Sequence, residues 1–566
     1  MKKNNILKVV LLAILVAVVC TWIFPAVQYT QTSIEAGERV QVGIFNISEY
    51  MLILFRYFMN ILLVVLSIGA FYGVAYRIPA YRLLLDRIVE KFKGKENVFL
   101  IAVMSIVAIV TSLTGLNLGV AILFVFPFII SLVLLMGYNK LVAASVTVGS
   151  FSVGLIGTTL ATTTSDYINL VLNTKYSNEM ISKIILLVLG LGLLIFNVLK
   201  YASKTRNETD KVLDYVPAAN EYESKEVIKA EKKDNKVAKF FTNLFTKVFS
   251  KKEKKSVKKV EKKPAKKVET KKEEKKITKS TTKTTTKKPV AKKKAPAKKS
   301  TKTRANDNTS TNVLVVKGGK KVKVWPFIVV FDLLFLIILV SLFDWKTIFG
   351  VTWFEDALNA IKDFKIGGFP IFAKLLGAES LGAWGAWNLA NEIPLVILVF
   401  TGILALMYNV KFDKFIEGIL DGMKRAFVPA ITMFIAYLVL VICVQNLFQL
   451  NLTKFFLELT SGLNVITMTL SLMFSSIFNM DAVYIAQTTL PYVTTVITDT
   501  SLYPIIAVMV QAVYGLMMLI APTSIILIGV LSFLDIPYLQ WIKHIWKLFL
   551  ELLLVLLIFF LILVLI

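Results

Sequence analysis

The chain has 566 residues, 56% of them hydrophobic, and a formal net charge of +28. Residues 200–323 hold 40 of the 65 Lys and Arg residues and 14 of the 37 acidic residues, so the rest of the chain carries a net charge of only +2. The hydrophobic fraction of the chain is higher than a soluble globular domain needs, so a soluble protein is excluded. The near-neutral charge outside residues 200–323 also excludes a protein that binds nucleic acid along its whole length.

The sequence offers little for soluble-type catalysis. It contains one histidine, His544, and two cysteines, Cys20 and Cys443, which both lie in apolar runs. A disulfide framework, a Ser-His-Asp triad and an HExxH metal site are therefore excluded, and no G-x-x-x-x-G-K-[ST] phosphate loop occurs. We expect a protein that is not an enzyme and that has no cofactor beyond a coupling Na⁺ or H⁺.

Apolar runs of about 20 residues predict transmembrane helices, because that length crosses the hydrocarbon core. In the first half of the chain these runs cover residues 6–29, 51–78, 141–172 and 180–200. The segment 79–97 carries five basic residues. The positive-inside rule therefore places this segment and the N-terminus in the cytoplasm.

The second half contains five more such runs, at residues 324–345, 392–410, 426–450, 502–533 and 541–566. Two further apolar runs, 98–138 and 463–497, are interrupted by the polar segments 111–117 and 475–481. Each is either two spanning helices or a re-entrant hairpin, whose tip would need a cavity or protein around it. Reading both as hairpins leaves nine spans, with the basic loops in the cytoplasm and the C-terminus outside.

The two interrupted runs begin a repeated pattern. Asn117 precedes Pro127 by ten residues, as Asp481 precedes Pro491, and 32 residues beyond each proline lie Thr159 and Thr523. Each threonine stands in a cluster of Gly, Pro, Ser or Thr inside an apolar span, the composition of a helix unwound at mid-depth. An amphipathic segment precedes each hairpin, at 79–97 inside and 451–462 outside, so the pattern predicts an inverted repeat.

Paired interrupted segments of this kind point to the binding site of a secondary transporter. The positive N-terminal ends of half-helices favour an anionic substrate, and freed carbonyls and hydroxyls favour Na⁺. The alternative is that the small residues only allow helices to pack closely.

Several motifs resemble the YfcC-like branch of the C4-dicarboxylate anaerobic carrier family, in the ion transporter superfamily. The motifs lie in three regions. One runs from residues 392–394 to 421–423 and another from residues 521–525 to 536–541. The third is the region 95–157, which contains Met136-Gly137-Tyr138-Asn139. The resemblance covers the chain outside 201–322. It implies a homodimer with two inverted repeats, and substrate between hairpin tips and broken helices. Carried over by position, it selects Ser112, Thr114, Gly115, Asn117, Gly157, Thr158, Thr159, Asn479, Asp481, Pro522, Thr523 and Ser524.

Burying an ionisable side chain inside a membrane span costs free energy, so each such residue is a candidate for a functional role. Arg56, Asp332 and Glu392 lie close to span ends, where an interfacial position explains them, and Asp166 lies near the end of a broken span. Asp481 stands at the polar break of a hairpin and aligns with Asn117. We expect a Na⁺ site near Asn117 and Asp481.

Residues 201–322 are rich in Lys, Glu, Thr, Pro and Ala, a composition that predicts a disordered basic cytoplasmic linker. Residues 239–250 repeat apolar positions on one helical face between lysines, the pattern of an interfacial helix. Three roles stay open: a spacer, an anchor to anionic lipids through residues 239–300, and a tether for nucleic acid, which is the least favoured.

The sequence thus predicts an all-α polytopic protein of a bacterial plasma membrane. It comprises an N-terminal transmembrane repeat at 1–200 with hairpin 98–138, the linker at 201–322, and a C-terminal half at 323–566 with hairpin 463–497. The predicted function is secondary active transport of a small organic anion, a carboxylate, amino acid or short peptide, by cation coupling or exchange. The alternative is a non-transporting membrane scaffold that displays the basic loop.

Overall fold

The computed structural model describes residues 5–29, 34–37, 41–115, 119–160, 162–175, 177–205, 322–377, 382–385, 387, 392–460, 462–478 and 481–565. Almost all of the predicted linker, including residues 239–300, lies outside these ranges. So do Asn117 and Asn479, two of the twelve residues selected for the site.

The first half of the described chain is built from eight helices. They are α1 (Asn5–Ile23), α2 (Ile44–Ala75), α3 (Pro79–Lys91), α4 (Glu96–Thr114), α5 (Phe126–Leu135), α6 (Lys140–Ile156), α7 (Thr162–Leu172) and α8 (Met180–Thr205). A 3₁₀ segment, Val120–Phe124, precedes α5, and α6 contains a π-helical turn at Ser145–Gly149.

The second half contributes twelve described helices. They are α9 (Trp325–Ser341), α10 (Trp345–Phe349), α11 (Trp353–Asp363), α12 (Ile371–Leu376), α13 (Glu392–Met407), α14 (Phe412–Asn446), α15 (Gln449–Leu457), α16 (Val465–Phe478), α17 (Ala482–Val496), α18 (Tyr503–Met517), α19 (Ile525–Leu534) and α20 (Tyr538–Leu565).

Seven helical segments in the described part of the chain are long and apolar enough to cross a membrane. They are Ile6–Ile23, Ile44–Ala75, Glu96–Thr114, Met180–Thr205, Phe412–Asn446, Thr500–Met517 and Tyr538–Leu565. Large apolar side chains point outward from them, such as Leu12 in α1 and Leu554 in α20, which are 59% and 58% exposed. Apolar helices with outward-facing leucines are those of a polytopic membrane protein.

The lengths of the helices differ from the nine predicted spans in several places. The runs 324–345 and 392–410 form helices of only 17 and 16 residues. The runs 141–172 and 502–533 are each divided in two, into α6 and α7 and into α18 and α19, at the breaks that the sequence predicts. By contrast α4, which was expected to be the first arm of a re-entrant hairpin at 98–138, has 19 residues, enough to cross a membrane by itself.

Residues 27–29 were expected to continue the first span and instead form a strand. This strand, β1 (Val27–Tyr29), pairs in antiparallel register with β2 (Ile34–Ala36). Pro25 explains the change, because proline lacks the N–H that a continuing helix would bond. These two short strands are the exception to an otherwise helical architecture in the described residues.

Helices α2 and α14 pack along each other over much of their length. Their contact is made by glycines spaced four residues apart, Gly69 and Gly73 on α2 and Gly418 and Gly422 on α14. Beyond the glycines, Arg77 forms ion pairs with Glu417, at 3.2 Å, and with Asp421. The small-xxx-small pattern brings two backbones close enough for extensive van der Waals contact.

The packing partners of the remaining helices fall into matched sets. Helix α1 packs on α14 as α13 packs on α2. Helix α4 packs on α6 and α8, and α16 packs on α18 and α20. Helix α3 contacts α5 as α15 contacts α17, while α6 contacts α18 and α8 contacts α20. The helices therefore correspond in chain order, α1–α8 to α13–α20.

Candidate functional site

The first junction of interest joins the end of α4 to the break that follows α6. Ser112 Oγ donates a hydrogen bond to the Gly157 carbonyl at 2.5 Å and lies 3.1 Å from Thr159 Oγ1. The backbone N–H of Thr159 donates in return to the Ser112 carbonyl at 2.8 Å. All three residues are buried. Hydroxyls and carbonyls of two chain segments, 45 to 47 residues apart, thus meet at one point.

The second junction joins the end of α16 to the break between α18 and α19. Thr523 Oγ1 donates a hydrogen bond to the Ile477 carbonyl at 2.7 Å. Close by on the same hairpin, Ser475 Oγ lies 3.2 Å from Thr489 Oγ1, which joins the two arms, α16 and α17. The Thr523 hydroxyl therefore joins the break between α18 and α19 to the C-terminal end of α16.

The two junctions recur at one spacing along the chain. Thr159 and Thr523 are 364 residues apart, as are Asn117 and Asp481. Ser112, the partner of Thr159, corresponds at this spacing to Ser476, which adjoins Ile477, the partner of Thr523. A threonine of each broken segment thus donates to a carbonyl near the end of the corresponding helix, α4 or α16.

The helices that precede the two breaks, α6 and α18, contact each other within the last turn before each break. Gly515 of α18 lies against Leu155 and Ile156 at the end of α6, where an ideal Cβ on Gly515 would be 2.5 Å from the Ile156 nitrogen. No Cβ fits at that distance from backbone atoms, so glycine is required there. The crossing brings the ends of α6 and α18, and with them the two breaks, together.

Two hydroxyls beside the junctions are buried without a hydrogen-bond partner among the described residues. They belong to Thr111, next to Ser112, and to Ser524, next to Thr523. Buried polar atoms in folded proteins are nearly always paired with protein or water. The two unsatisfied oxygens are therefore available to a small polar ligand or an ion.

Other residues selected from the sequence have local partners. Thr114 Oγ1 donates to the Val110 carbonyl and Thr158 Oγ1 to the Leu155 carbonyl, both at 2.7 Å, so their hydroxyls bond within their own segments. Gly115 ends α4 with φ 57°, a left-handed value that favours glycine. Gly157, whose carbonyl accepts the Ser112 hydrogen bond, also packs against Leu187, and Pro522 is half-buried.

Asp481 has a structural role that its sequence position did not reveal. Its Oδ1 accepts a hydrogen bond from the Val483 N–H at 2.9 Å, which makes it the N-cap of α17. Aspartate is among the best N-cap residues because it satisfies a free backbone N–H. The carboxylate also faces the helix N-terminus, whose partial positive charge stabilises it.

The described residues offer no cluster of three or more His, Cys, Asp or Glu side chains for a metal ion. A cation at the junctions would be held by hydroxyl and carbonyl oxygens, the ligand type of hard cations such as Na⁺. Of the two residues near which a Na⁺ site was predicted, Asn117 and Asp481, the structure describes only Asp481.

Three other charged residues singled out in the sequence have described side chains, and none of them is a hydrogen-bond partner of the junction residues in the contacts given above. Glu392 is buried and accepts a hydrogen bond from the Gly382 N–H at 3.1 Å, just where α13 begins. Arg56 is exposed, with its guanidinium 5.5 Å from the ring centroid of Tyr57. Asp332 is exposed on α9. The side chain of Asp166 lies outside the described residues.

A cavity of about 590 Å³ was not anticipated from the sequence. It lies between the α2–α14 pair, the segment that follows α4, and helix α19, with Leu123 and Gly529 among its lining residues. Its walls are mostly apolar, and Arg425 and Asp535 stand at its edge. None of the twelve residues selected for the site lines this cavity. The only feature of the sequence that could have indicated this cavity is the set of glycines at the α2–α14 contact, three of which line it.

Comparison with known proteins does not identify a family. No model of a protein family, no curated protein and no solved structure matches the chain.

Proposed function

We propose that the protein is a secondary active transporter of a small organic anion, a carboxylate, amino acid or short peptide, in a bacterial plasma membrane. The observation that carries the proposal is the pair of junctions, Thr159 with Ser112 and Thr523 with Ile477, at corresponding positions of the two halves. Discontinuous helices that meet hairpin ends in two matched places are the arrangement of substrate and ion sites in secondary transporters.

The matched packing of α1–α8 and α13–α20 supports two inverted repeats with nine spans and two re-entrant hairpins. In each repeat the first hairpin arm packs on the first half of the broken helix, α4 on α6 and α16 on α18. The resemblance to the C4-dicarboxylate carrier family, with its homodimers, predicts the same architecture. In this proposal the hairpins and broken helices move against the close-packed α2–α14 pair.

The chemistry of the junctions supports an anionic substrate coupled to a cation. Ser524 is the N-cap of α19, so the positive end of this half-helix faces the second junction. Its buried, unsatisfied hydroxyl and that of Thr111 supply donors without the cost of a buried charge. The carbonyls of Gly157 and Ile477 supply oxygen ligands for Na⁺. The sequence expectation of a site near Asn117 and Asp481 belongs to the same proposal.

In this proposal the substrate enters through the cavity beside the α2–α14 pair. It reaches from the exposed Arg425 and Asp535 to Leu123, which follows the end of α4, and to Gly529 of α19, which follows the break after α18. Arg425 at the entrance would attract an anion, and the apolar walls would accommodate an apolar portion of the substrate.

The test is uptake by the purified protein in proteoliposomes, with and without an inward Na⁺ or H⁺ gradient, against a panel of dicarboxylates, amino acids and short peptides. Thr159→Val and Thr523→Val remove the junction hydroxyls and keep the volume of the side chain. We expect each to reduce the initial rate at least about tenfold, because an interaction worth about 1.4 kcal/mol changes a rate by that factor.

Matched controls are Thr401→Val and Thr432→Val. These buried threonines also donate to carbonyls, those of Ile397 and Val428, but within the single helices α13 and α14. They should leave uptake near its wild-type rate. If all four variants transport equally well, the junctions are not the site.

A deletion separates transport from the alternative function. A chain without residues 206–316 keeps the described helices and loses most of the basic segment. A transporter should retain saturable uptake after this deletion. A scaffold that acts by displaying the basic loop should show no uptake in either form.

A further inference from the structure

A second, smaller cavity of about 190 Å³ lies between the C-terminal end of α8 and the first turns of α20. Its lining includes Asn197, Lys200, Tyr201 and Lys204 of α8, Ser145 of α6, and His544 and Lys547 of α20. It is remote in the chain from both junctions and shares no lining residue with the larger cavity.

The floor of this cavity is fixed by polar contacts. His544 Nε2 lies 2.8 Å from Ser145 Oγ, at the first residue of the π-helical turn in α6. The ring of Tyr201 meets that of His544 edge to face, with 4.2 Å between centroids, and the Tyr201 hydroxyl lies 3.4 Å from Asn139 Nδ2. Three helices thus hold the floor in place.

The rim of the cavity carries an excess of positive charge. Lys547 forms an ion pair with Glu551 at 3.6 Å, and Asn197 donates to the same carboxylate at 2.6 Å. Lys200 and Lys204 are exposed, and Lys200 lies over the ring of Phe196 at 5.3 Å. Three lysines against one carboxylate leave a net charge of +2 around a cavity the size of a small polar group.

Below the lysines the surface is apolar. On α20, Leu550 and Leu554 follow Lys547 on the same helix face, at three and seven residues, and are 49% and 58% exposed. On α8, Phe196 lies one turn before Lys200 and is 57% exposed. Trp546 is also exposed beside the lysines, the position of aromatic residues at a membrane–water interface.

We propose that this cavity binds the phosphate headgroup of an anionic phospholipid, whose acyl chains lie along Phe196, Leu550 and Leu554. A cationic rim above an exposed apolar face matches the two parts of a phospholipid, whereas a soluble phosphate would use only the first part. Basic pockets between transmembrane helices at the cytoplasmic side are sites for such headgroups. The site is built into the folded body and is separate from the basic linker.

The experiment uses the full-length protein, delipidated in a neutral detergent at 150 mM salt. Its thermal unfolding is followed as phosphatidylglycerol, phosphatidylcholine or glycerol phosphate is added. A ligand that binds only the folded state raises the unfolding temperature, and the shift grows with the logarithm of the ratio of ligand concentration to Kd, so a titration yields the affinity. The test variant is Lys200→Ala/Lys204→Ala/Lys547→Ala. The control is Lys91→Ala/Lys93→Ala/Lys95→Ala, which removes the same charge from exposed positions at and after the end of α3.

We expect phosphatidylglycerol to stabilise the wild-type and control proteins, with an affinity that falls at least about tenfold in the test variant. Phosphatidylcholine should give a smaller shift that is equal in all three proteins. An equal loss of affinity in both triple variants would overturn the proposal, because attraction would then be diffuse. A shift produced equally well by glycerol phosphate would overturn it too, because the acyl chains would then contribute nothing.

Discussion

Gly73 of α2 faces Gly422 of α14 so closely that an ideal Cβ on Gly73 would lie 2.6 Å from the Gly422 Cα. One turn earlier, a Cβ on Gly69 would lie 2.8 Å from the Gly422 carbonyl oxygen. Both clashes are with backbone atoms, which cannot move aside as a flexible side chain can. The close approach of α2 and α14 therefore depends on glycine at these positions.

The crossing predicts that Gly73→Leu separates the two helices. Overpacking of a tight core costs about 1–3 kcal/mol where side chains can shift, and here the obstruction is backbone, so we expect a loss at the upper end of that range. The measurement is the unfolding temperature of the purified protein in detergent.

The matched control for this prediction is Gly402→Leu in α13. No atom lies within 4 Å of an ideal Cβ at Gly402. Leucine is the better helix former there, so this variant should be neutral or slightly stabilising. Equal destabilisation of the two variants would show that the crossing has no special role.

The crossing of the two broken helices makes a second prediction. Gly515→Ala should lower the unfolding temperature and abolish uptake, because the added methyl would meet the Ile156 nitrogen at 2.5 Å and the Leu155 carbonyl carbon at 2.7 Å. Uptake in proteoliposomes and thermal unfolding measure the two effects separately.

Gly529→Ala serves as the comparison for Gly515→Ala. The added methyl at Gly529 would meet Met433 Sδ at 2.8 Å, the far part of a flexible side chain. Methionine can adopt another rotamer, so the unfolding temperature should change little. If Gly529→Ala is as harmful as Gly515→Ala, then the backbone contact at the α6–α18 crossing is not the cause.

The features that the sequence predicts correctly are local in origin. The breaks after α6 and α18 coincide with the clusters around Thr159 and Thr523. Glycine, proline, serine and threonine disfavour a continuous helix by their own conformational preferences, so a short window of sequence reveals the break.

The features that the sequence did not predict depend on distant partners or weak patterns. Gly73 and Gly422 are 349 residues apart, and the periodicity of either helix alone does not identify its partner. The short helices α10 and α12 have only 5 and 6 residues, too few for a clear hydrophobic period. The cap formed by Asp481 is likewise a contact between a side chain and a backbone N–H that a polar break does not specify.

The proposed topology predicts that reporters fused at residue 350 and at the C-terminus both lie outside the cell. The positive-inside rule places the loop 79–97 and the basic linker in the cytoplasm, and nine spans then end outside. Paired enzymatic reporters, one active only in the cytoplasm and one only outside it, provide the measurement. A cytoplasmic C-terminus would contradict the inverted repeat, because the two halves would then share one orientation.

Asp481 allows its structural and functional roles to be separated. Asparagine is as good an N-cap as aspartate, so Asp481→Asn should leave the unfolding temperature unchanged while removing the charge that is proposed to bind the coupling cation. We expect uptake by this variant to lose its dependence on the Na⁺ or H⁺ gradient. Asp481→Ala should in addition lose the cap, at a cost of about 1 kcal/mol.

Asp344 provides the control for Asp481, because it caps α10 by accepting a hydrogen bond from the Thr347 N–H at 2.9 Å. Asp344→Ala should cost a similar free energy of unfolding and leave the ion dependence of uptake intact. If Asp481→Asn also transports with unchanged ion dependence, its carboxylate is only a helix cap. The coupling cation must then bind to neutral oxygens, such as those of Ser112, Thr159 and Thr523.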